Sequence, residues 1–219
     1  MADSLKNFRS ICKKIIAVGR NYSEHASELG NTVPTKPIIF MKPTSAFVTE
    51  PNDIRIPADW DELHHEVEFG VIIDKQCQNV SKEEAEASIG GYCLALDMTE
   101  RKLQNELKDQ GLPWLLSKGF DTSCPCGDFI PKEKISLSSS VNLWLNVNGN
   151  RRQNGHTRDM IFSVPDLIVY ISKYITLEHG DLILTGTPAG VGPVRRGDQI
   201  EAGMEGEHDL KYLMKFNVV

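Results

Sequence analysis

The sequence predicts a strand-rich α+β domain. Short apolar runs recur along the chain with turn residues between them, and few segments carry helix-start signals. Strands and helices do not alternate in the regular manner of βαβ units.

The opening stretch "MADSLKNFRSICKK" carries four basic residues and one acid. It reads as a short amphipathic helix, with residues 1–13 an N-terminal helix or extension before the strand "KIIAVG" (14–19). The same stretch echoes a basic, acid-poor mitochondrial transit peptide, so mitochondrial and cytoplasmic locations both stand open. Next comes a short helix, "YSEHASEL", between Asn21 and Gly30, residues suited to its two caps. It joins two strands with little apolar surface of its own, which makes 21–30 a weakly anchored candidate lid.

The runs "PIIFMK" (37–42), "EVEFGVII" (66–73) and "GYCLALD" (91–97) are expected strands. Ser81-x-x-Glu84 is a capping box ahead of "EEAEASI", and Gly90-Gly91 is expected to end that helix. Thr99 precedes a helix over "ERKLQNELKDQ", stopped by Gly111 and Pro113. Asn148-Gly149 joins "NLWLNV" (142–147) to "NRRQNG" through a type I′ turn. Ser163-x-x-Asp166, with Pro165 in the first turn, opens "DLIVYISKYI". The strands "DLILTG" (181–186) and "KYLMKFNV" (211–218) complete the set.

At 219 residues the chain suits a single domain spanning 1–219 with a substantial core. Hydrophobic residues make up 40% and charged residues 25%, an ordinary globular balance. The net charge of −6 and the lack of a Lys/Arg cluster argue against a nucleic-acid surface. No window approaches the ~18 apolar residues of a membrane span. The five cysteines are odd in number and lack a C-x-x-C pair, which points to a reducing compartment rather than a disulfide framework. Cys124-Pro125-Cys126 with His64 or His65 would be a soft-metal set, but two close cysteines in a loop are more often incidental.

The chemistry concentrates in "HHEVEFGVII" (64–73). Side chains two apart on a strand share a face, so Glu66 and Glu68 sit side by side. A solvated strand face is the plain alternative, and a shared cation is the other. Asp97, at the end of "CLALD", would supply a third hard oxygen ligand for Mg²⁺ or Mn²⁺. Asp97-x-x-Glu100 is also a capping box, and the two roles can coexist.

On the candidate lid, His25 and Glu28 are three apart and can hydrogen-bond, which would leave the other imidazole nitrogen as a base. A solvated surface pair is the alternative. Arg101 and Gln104 share a helix face just beyond Asp97, where they would reach a bound carboxylate, or form the exposed side of the helix. Lys118, after the apolar turn "PWLL", is either a surface lysine or a buried ammonium facing an oxyanion. The glycine-rich "TGTPAGVGP" (185–193) lacks the Walker A ending and the G-x-G-x-x-G spacing, so nucleotide binding is disfavoured. It allows close backbone approach to a ligand, with Thr187 adding a hydroxyl, or forms a plain tight turn.

Together "VGRNYSEHASELG", "FMKPTSAF", "HHEVEFGVII", "LALDMTERKLQ", "WLLSKGFD" and "ILTGTPAGVGP" resemble, in order and spacing, the fumarylacetoacetate hydrolase family over nearly the full chain. The resemblance implies a mixed β-roll or β-sandwich of the fumarylacetoacetate hydrolase C-terminal type with a short lid helix, and a homodimer. It implies Mg²⁺ or Mn²⁺ held by Glu66, Glu68 and Asp97, with His25 and Glu28 as a lid dyad. Arg20, Arg101, Gln104, Lys118 and Thr187 fall where the family contacts substrate.

The activity implied is cleavage of acylpyruvates such as acetylpyruvate or fumarylpyruvate, together with oxaloacetate decarboxylation. Both pass through a pyruvate enolate, which the metal and Lys118 would stabilise. Oxaloacetate keto–enol tautomerisation at the same site is the alternative within the enzymes. A non-catalytic metal-stabilised binding module is the alternative from another class, and it would have no use for His25 and Glu28.

Overall fold

The computed structural model describes residues 2–23 and 34–219. Two short turns of helix, α1 (Ala2–Leu5) and α2 (Phe8–Ile11), lead into β1 (Ile15–Gly19). The chain continues through β2 (Ile38–Lys42), β3 (Phe47–Val48), β4 (Glu62–His65), β5 (Val67–Ile73), α3 (Lys82–Ser88), β6 (Ile89–Leu96), α4 (Arg101–Asp109) and α5 (Leu115–Lys118). The second half holds β7 (Cys124–Pro125), β8 (Ile130–Pro131), β9 (Asn142–Val147), β10 (Asn150–His156), α6 (Val164–Ser172), β11 (Leu182–Leu184), β12 (Gly192–Arg195), β13 (Gln199–Glu205) and β14 (Lys211–Asn217).

Six strands form one sheet in the order β2-β1-β11-β5-β6-β8. All its neighbours are antiparallel except β1 and β11, so the sheet is mixed. A second, antiparallel sheet has the order β10-β9-β13-β14. The main core lies between them. Val67, Phe69, Val71, Leu94 and Leu96 from the first sheet join Leu143, Leu145, Ile200, Met204 and Phe216 from the second. Helix α6 adds Val164, Leu167, Ile168 and Ile171 to the same cluster.

All seven residues of β5 are buried, as the "VII" run implies for a strand covered on both faces. Its odd-numbered residues enter the main core. Ile72 joins a second cluster on the opposite face, with Cys93, Ala95 and Leu184. The N-terminal turns cover that cluster through Leu5 and Phe8, both buried.

The expected elements and the observed ones differ in instructive places. Asn148 and Gly149 both have positive φ, 50° and 78°, as a type I′ turn requires. Ser81 and Ser163 cap their helices through the N–H groups of Glu84 and Asp166. Gly90 and Gly91 do not end α3; Ile89 does, and both glycines lie in β6. A Cβ on Gly91 would stand 2.4 Å from the Ile130 carbonyl oxygen, so close strand packing is what excludes a side chain there. The cap of α4 is neither Thr99 nor Asp97 but Glu100, whose own carboxylate accepts the Leu103 N–H. Asp97 is thereby left free of capping duty.

Candidate metal centre and anion pocket

Register brings the three carboxylates together. Glu68 pairs with Ala95 and Val67 with Leu96 across β5 and β6. The Asp97 N–H donates to the Glu66 carbonyl at 2.8 Å, carrying that pairing one step further. Glu66 itself sits in the break between β4 and β5 rather than inside one continuous strand. Glu66, Glu68 and Asp97 therefore share the face of the second cluster, opposite the main core. They are 5%, 1% and 1% exposed, which removes the solvated-face alternative. Their ligand oxygens all lie within 4.8 Å of one another, the sole such cluster of His, Cys, Asp and Glu side chains among the described residues. Cys124-Pro125-Cys126 joins no such cluster with His64 or His65; Cys126 Sγ instead lies 3.6 Å from Cys93 Sγ.

Cations from three elements surround the acids. Lys118, at the end of α5, donates from Nζ to Asp97 Oδ2 (2.6 Å), Glu66 Oε2 (2.9 Å) and Thr99 Oγ1 (2.6 Å). It is a buried ammonium, not a surface lysine. Burial pushes it toward deprotonation, but Asp97 and Glu66 outweigh that and hold it charged. Lys42, at the end of β2, is buried with Nζ 2.7 Å from Asp97 Oδ1 and donates to the carbonyls of Ser123 (3.0 Å), Met98 (3.2 Å) and Lys118. Arg101, at the start of α4, pairs with Glu66 and donates to Gln104 Oε1 at 2.5 Å.

The glycine-rich loop supplies the remaining support. The Gly186 N–H donates to Glu68 Oε2 at 2.7 Å, with Gly186 at φ 99°. Thr187 Oγ1 donates to the Val67 carbonyl and accepts from Gln153 Nε2, both at 2.8 Å, so its proton is committed to the backbone next to Glu68. The buried Gln153 also takes the Val67 N–H and His65 Nδ1 on Oε1, both at 3.0 Å, bracing the break beside Glu66.

A divalent cation fits this set. The donors are hard oxygens without a soft ligand, the set preferred by Mg²⁺ and Mn²⁺. Asp97 Oδ1 is buried without a hydrogen-bond donor, its contact with Lys42 being an ion pair without hydrogen-bond geometry. Burial raises the Glu68 carboxyl well above the ordinary value, and the Asp97 and Glu66 charges raise it further. Such crowding is what a cation relieves. Because Lys118, Lys42 and Arg101 already balance three carboxylates, an added divalent ion leaves the site positive and ready for an anion.

Arg20, Arg101, Gln104 and Lys118 line one pocket with Glu66, Phe40, Trp114 and Lys108. Lys42, Lys108 and Gln153 were missed by sequence reasoning. Only Lys108 had a usable signal, since it lies seven positions from Arg101 and four from Gln104 on one helix face. His25 and Glu28, with most of the segment 21–30, lie outside the described residues.

The family described as "Fumarylacetoacetate (FAA) hydrolase C-terminal" matches residues 14–212. A mitochondrial oxaloacetate tautomerase of Homo sapiens is 50% identical over 92% of this chain and 91% of its own length. A mitochondrial oxaloacetate decarboxylase of Dictyostelium discoideum is 48% identical over 98% of both chains. Among solved structures, a fumarylpyruvate hydrolase from Pseudomonas aeruginosa, in complex with Mn²⁺ and pyruvate, superposes with a TM-score of 0.88 at 33% identity. That match covers 95% of this chain and 90% of the other. The close relatives are enzymes, and the chain belongs to the fumarylacetoacetate hydrolase family.

Proposed function

We propose that the protein is a Mg²⁺- or Mn²⁺-dependent enzyme of short 2-oxo acids, acting on oxaloacetate by tautomerisation or decarboxylation and on acylpyruvates by C–C hydrolysis. The observation that carries this reading is the buried triad Glu66, Glu68 and Asp97 with Lys118 bonded to two of its members. Oxaloacetate chemistry stands first because relatives at 48–50% identity are named for it, while the fumarylpyruvate hydrolase is 33% identical.

When bound, the divalent ion would supply Lewis acidity to the oxygens of a 2-oxo acid. The residues do the rest. Arg101, Gln104 and Arg20, which line the pocket, orient a carboxylate, and Phe40 and Trp114 in the same lining keep it partly dry. The Lys118 ammonium faces the enolate charge that develops when C3 loses a proton, CO₂ or an acyl group. His25, together with Glu28, is assigned the role of the base that moves the C3 proton or activates water. Tautomerisation needs only the proton transfer, decarboxylation needs no activated water, and hydrolysis needs both base and water. One electrostatic site thus serves all three.

A mitochondrial location and a homodimer belong to the same reading. The first rests on the relatives' mitochondrial names. For the second, a copy of this chain would cover the apolar surface of Met41, Leu112, Leu115 and Leu116, which are 41–67% exposed. The decisive assay runs acetylpyruvate, keto-oxaloacetate and enol-oxaloacetate side by side with and without chelator. Comparable loss of all three supports one shared site, and chelator-insensitive oxaloacetate turnover contradicts it.

A further inference from the structure

We propose that Arg20 and Lys108 form a subsite for the second carboxylate of a dicarboxylate, so that the pocket selects four-carbon diacids over monoacids of the same length. The inference rests on the 2-oxo acid reading above for what fills the inner end of the pocket.

Three observations lead to it. Lys108 is in the last turn of α4, where a lysine ordinarily serves the helix dipole and faces solvent. Here it is half-buried and lines the pocket with Arg20 and Arg101. Arg101, Gln104 and Lys108 share one face of α4, so a single helix presents a guanidinium, an amide and an ammonium to the same cavity.

The charges are unequally satisfied. Arg101 and Lys118 are paired with Glu66, and Lys118 also with Asp97. Neither Arg20 nor Lys108 has an ion pair or side-chain hydrogen bond among the described residues. Burial lowers the basicity of both, and for Lys108 the Arg20 and Arg101 charges add to the effect against a smaller pull from Asp109. Two cations lining one pocket, neither in an ion pair among the described residues, form an arrangement that an anion stabilises.

The backbone points the same way. Arg20 follows directly on β1 with φ 58°, a left-handed conformation uncommon for a non-glycine residue. It places the guanidinium on the pocket wall. Burial also orders the cavity: Glu66 and Lys118 are 5% and 2% exposed, whereas Arg20 and Lys108 are half-buried and nearer the mouth. A ligand with its 2-oxo acid end at the inner groups would carry a C4 carboxylate toward the unpaired cations, and a C4 methyl there would leave them unpaired.

The test uses binding of ligands that do not react. The Mg²⁺-loaded protein is titrated calorimetrically with malate and with 2-hydroxybutyrate, which differ only in carboxylate against methyl at C4. The wild type is expected to prefer malate roughly tenfold. Lys108→Met should collapse that affinity ratio toward one, and Lys108→Arg should keep it. Failure of malate to bind, equal affinities in the wild type, or an unchanged ratio in Lys108→Met would overturn the subsite. A malate preference in a protein that turns over no oxaloacetate would refute the proposed reaction and leave the subsite standing.

Discussion

Lys118 and Asp97 are joined by a 2.6 Å ion pair with both side chains withdrawn from water, at 3% and 1% exposure. The pair fixes the orientation of one proposed metal ligand, and Glu66 takes a second bond from the same ammonium. Stability and chemistry thus meet in one side chain.

Lys118→Met should show both roles. Removing the ammonium takes one of two cationic partners from each of Asp97 and Glu66, leaving Lys42 and Arg101, a loss of about 1–3 kcal/mol. Turnover should fall by about 10²–10³-fold through loss of the enolate's counter-charge. Added Mg²⁺ should recover much of the melting temperature without recovering turnover. Recovery of both would show that the ammonium only holds the fold.

Metal binding should release a proton. Burial, then Asp97 and Glu66, raise the Glu68 carboxyl well above its ordinary 4.5, against smaller opposing pulls from the Gly186 N–H and Lys118. A carboxyl raised in the folded state contributes stability that is full below the unfolded value and is lost as pH rises through the folded one. The metal-free protein should therefore lose stability as pH climbs above 4.5 toward the raised value, and a divalent cation should reverse the trend. Calorimetry in buffers of different ionisation enthalpy measures this directly. Affinity independent of pH with no proton uptake by the buffer contradicts it.

Gly186→Ala tests the loop. Gly186 has φ 99°, and a Cβ there would come within 2.7 Å of the Asn21 Cβ. The substitution should cost about 1–3 kcal/mol and shift the N–H that holds Glu68. Its melting point should drop and its metal affinity weaken together. Unchanged affinity at a lowered melting point would make the glycine a purely structural turn.

The legible part of the site was that written in local spacing. Glu66 and Glu68 are two apart, so strand geometry put them on one face, and β6 register then delivered Asp97. Spacing could not show the break at Glu66, because it depends on Gln153 from β10. Lys42 reads as the polar end of "PIIFMK", and only the fold turns it onto Asp97. The strand β13, "QIEAGME", went unpredicted because Glu201, Gly203 and Glu205 dilute its apolar run. Across the sheet, a Cβ on Gly203 would stand 2.2 Å from the Trp144 ring, so the glycine makes room for that tryptophan.

The central claim is that Glu66, Glu68 and Asp97 hold one divalent cation. Titrating Mn²⁺ into the wild type and Asp97→Asn, with free ion read by electron paramagnetic resonance, tests it most directly. The wild type should bind one ion per chain. The variant should lose more than the ~10–100-fold in affinity that removal of a merely supporting group costs. Equal stoichiometry and equal affinity in the two proteins would contradict the assignment.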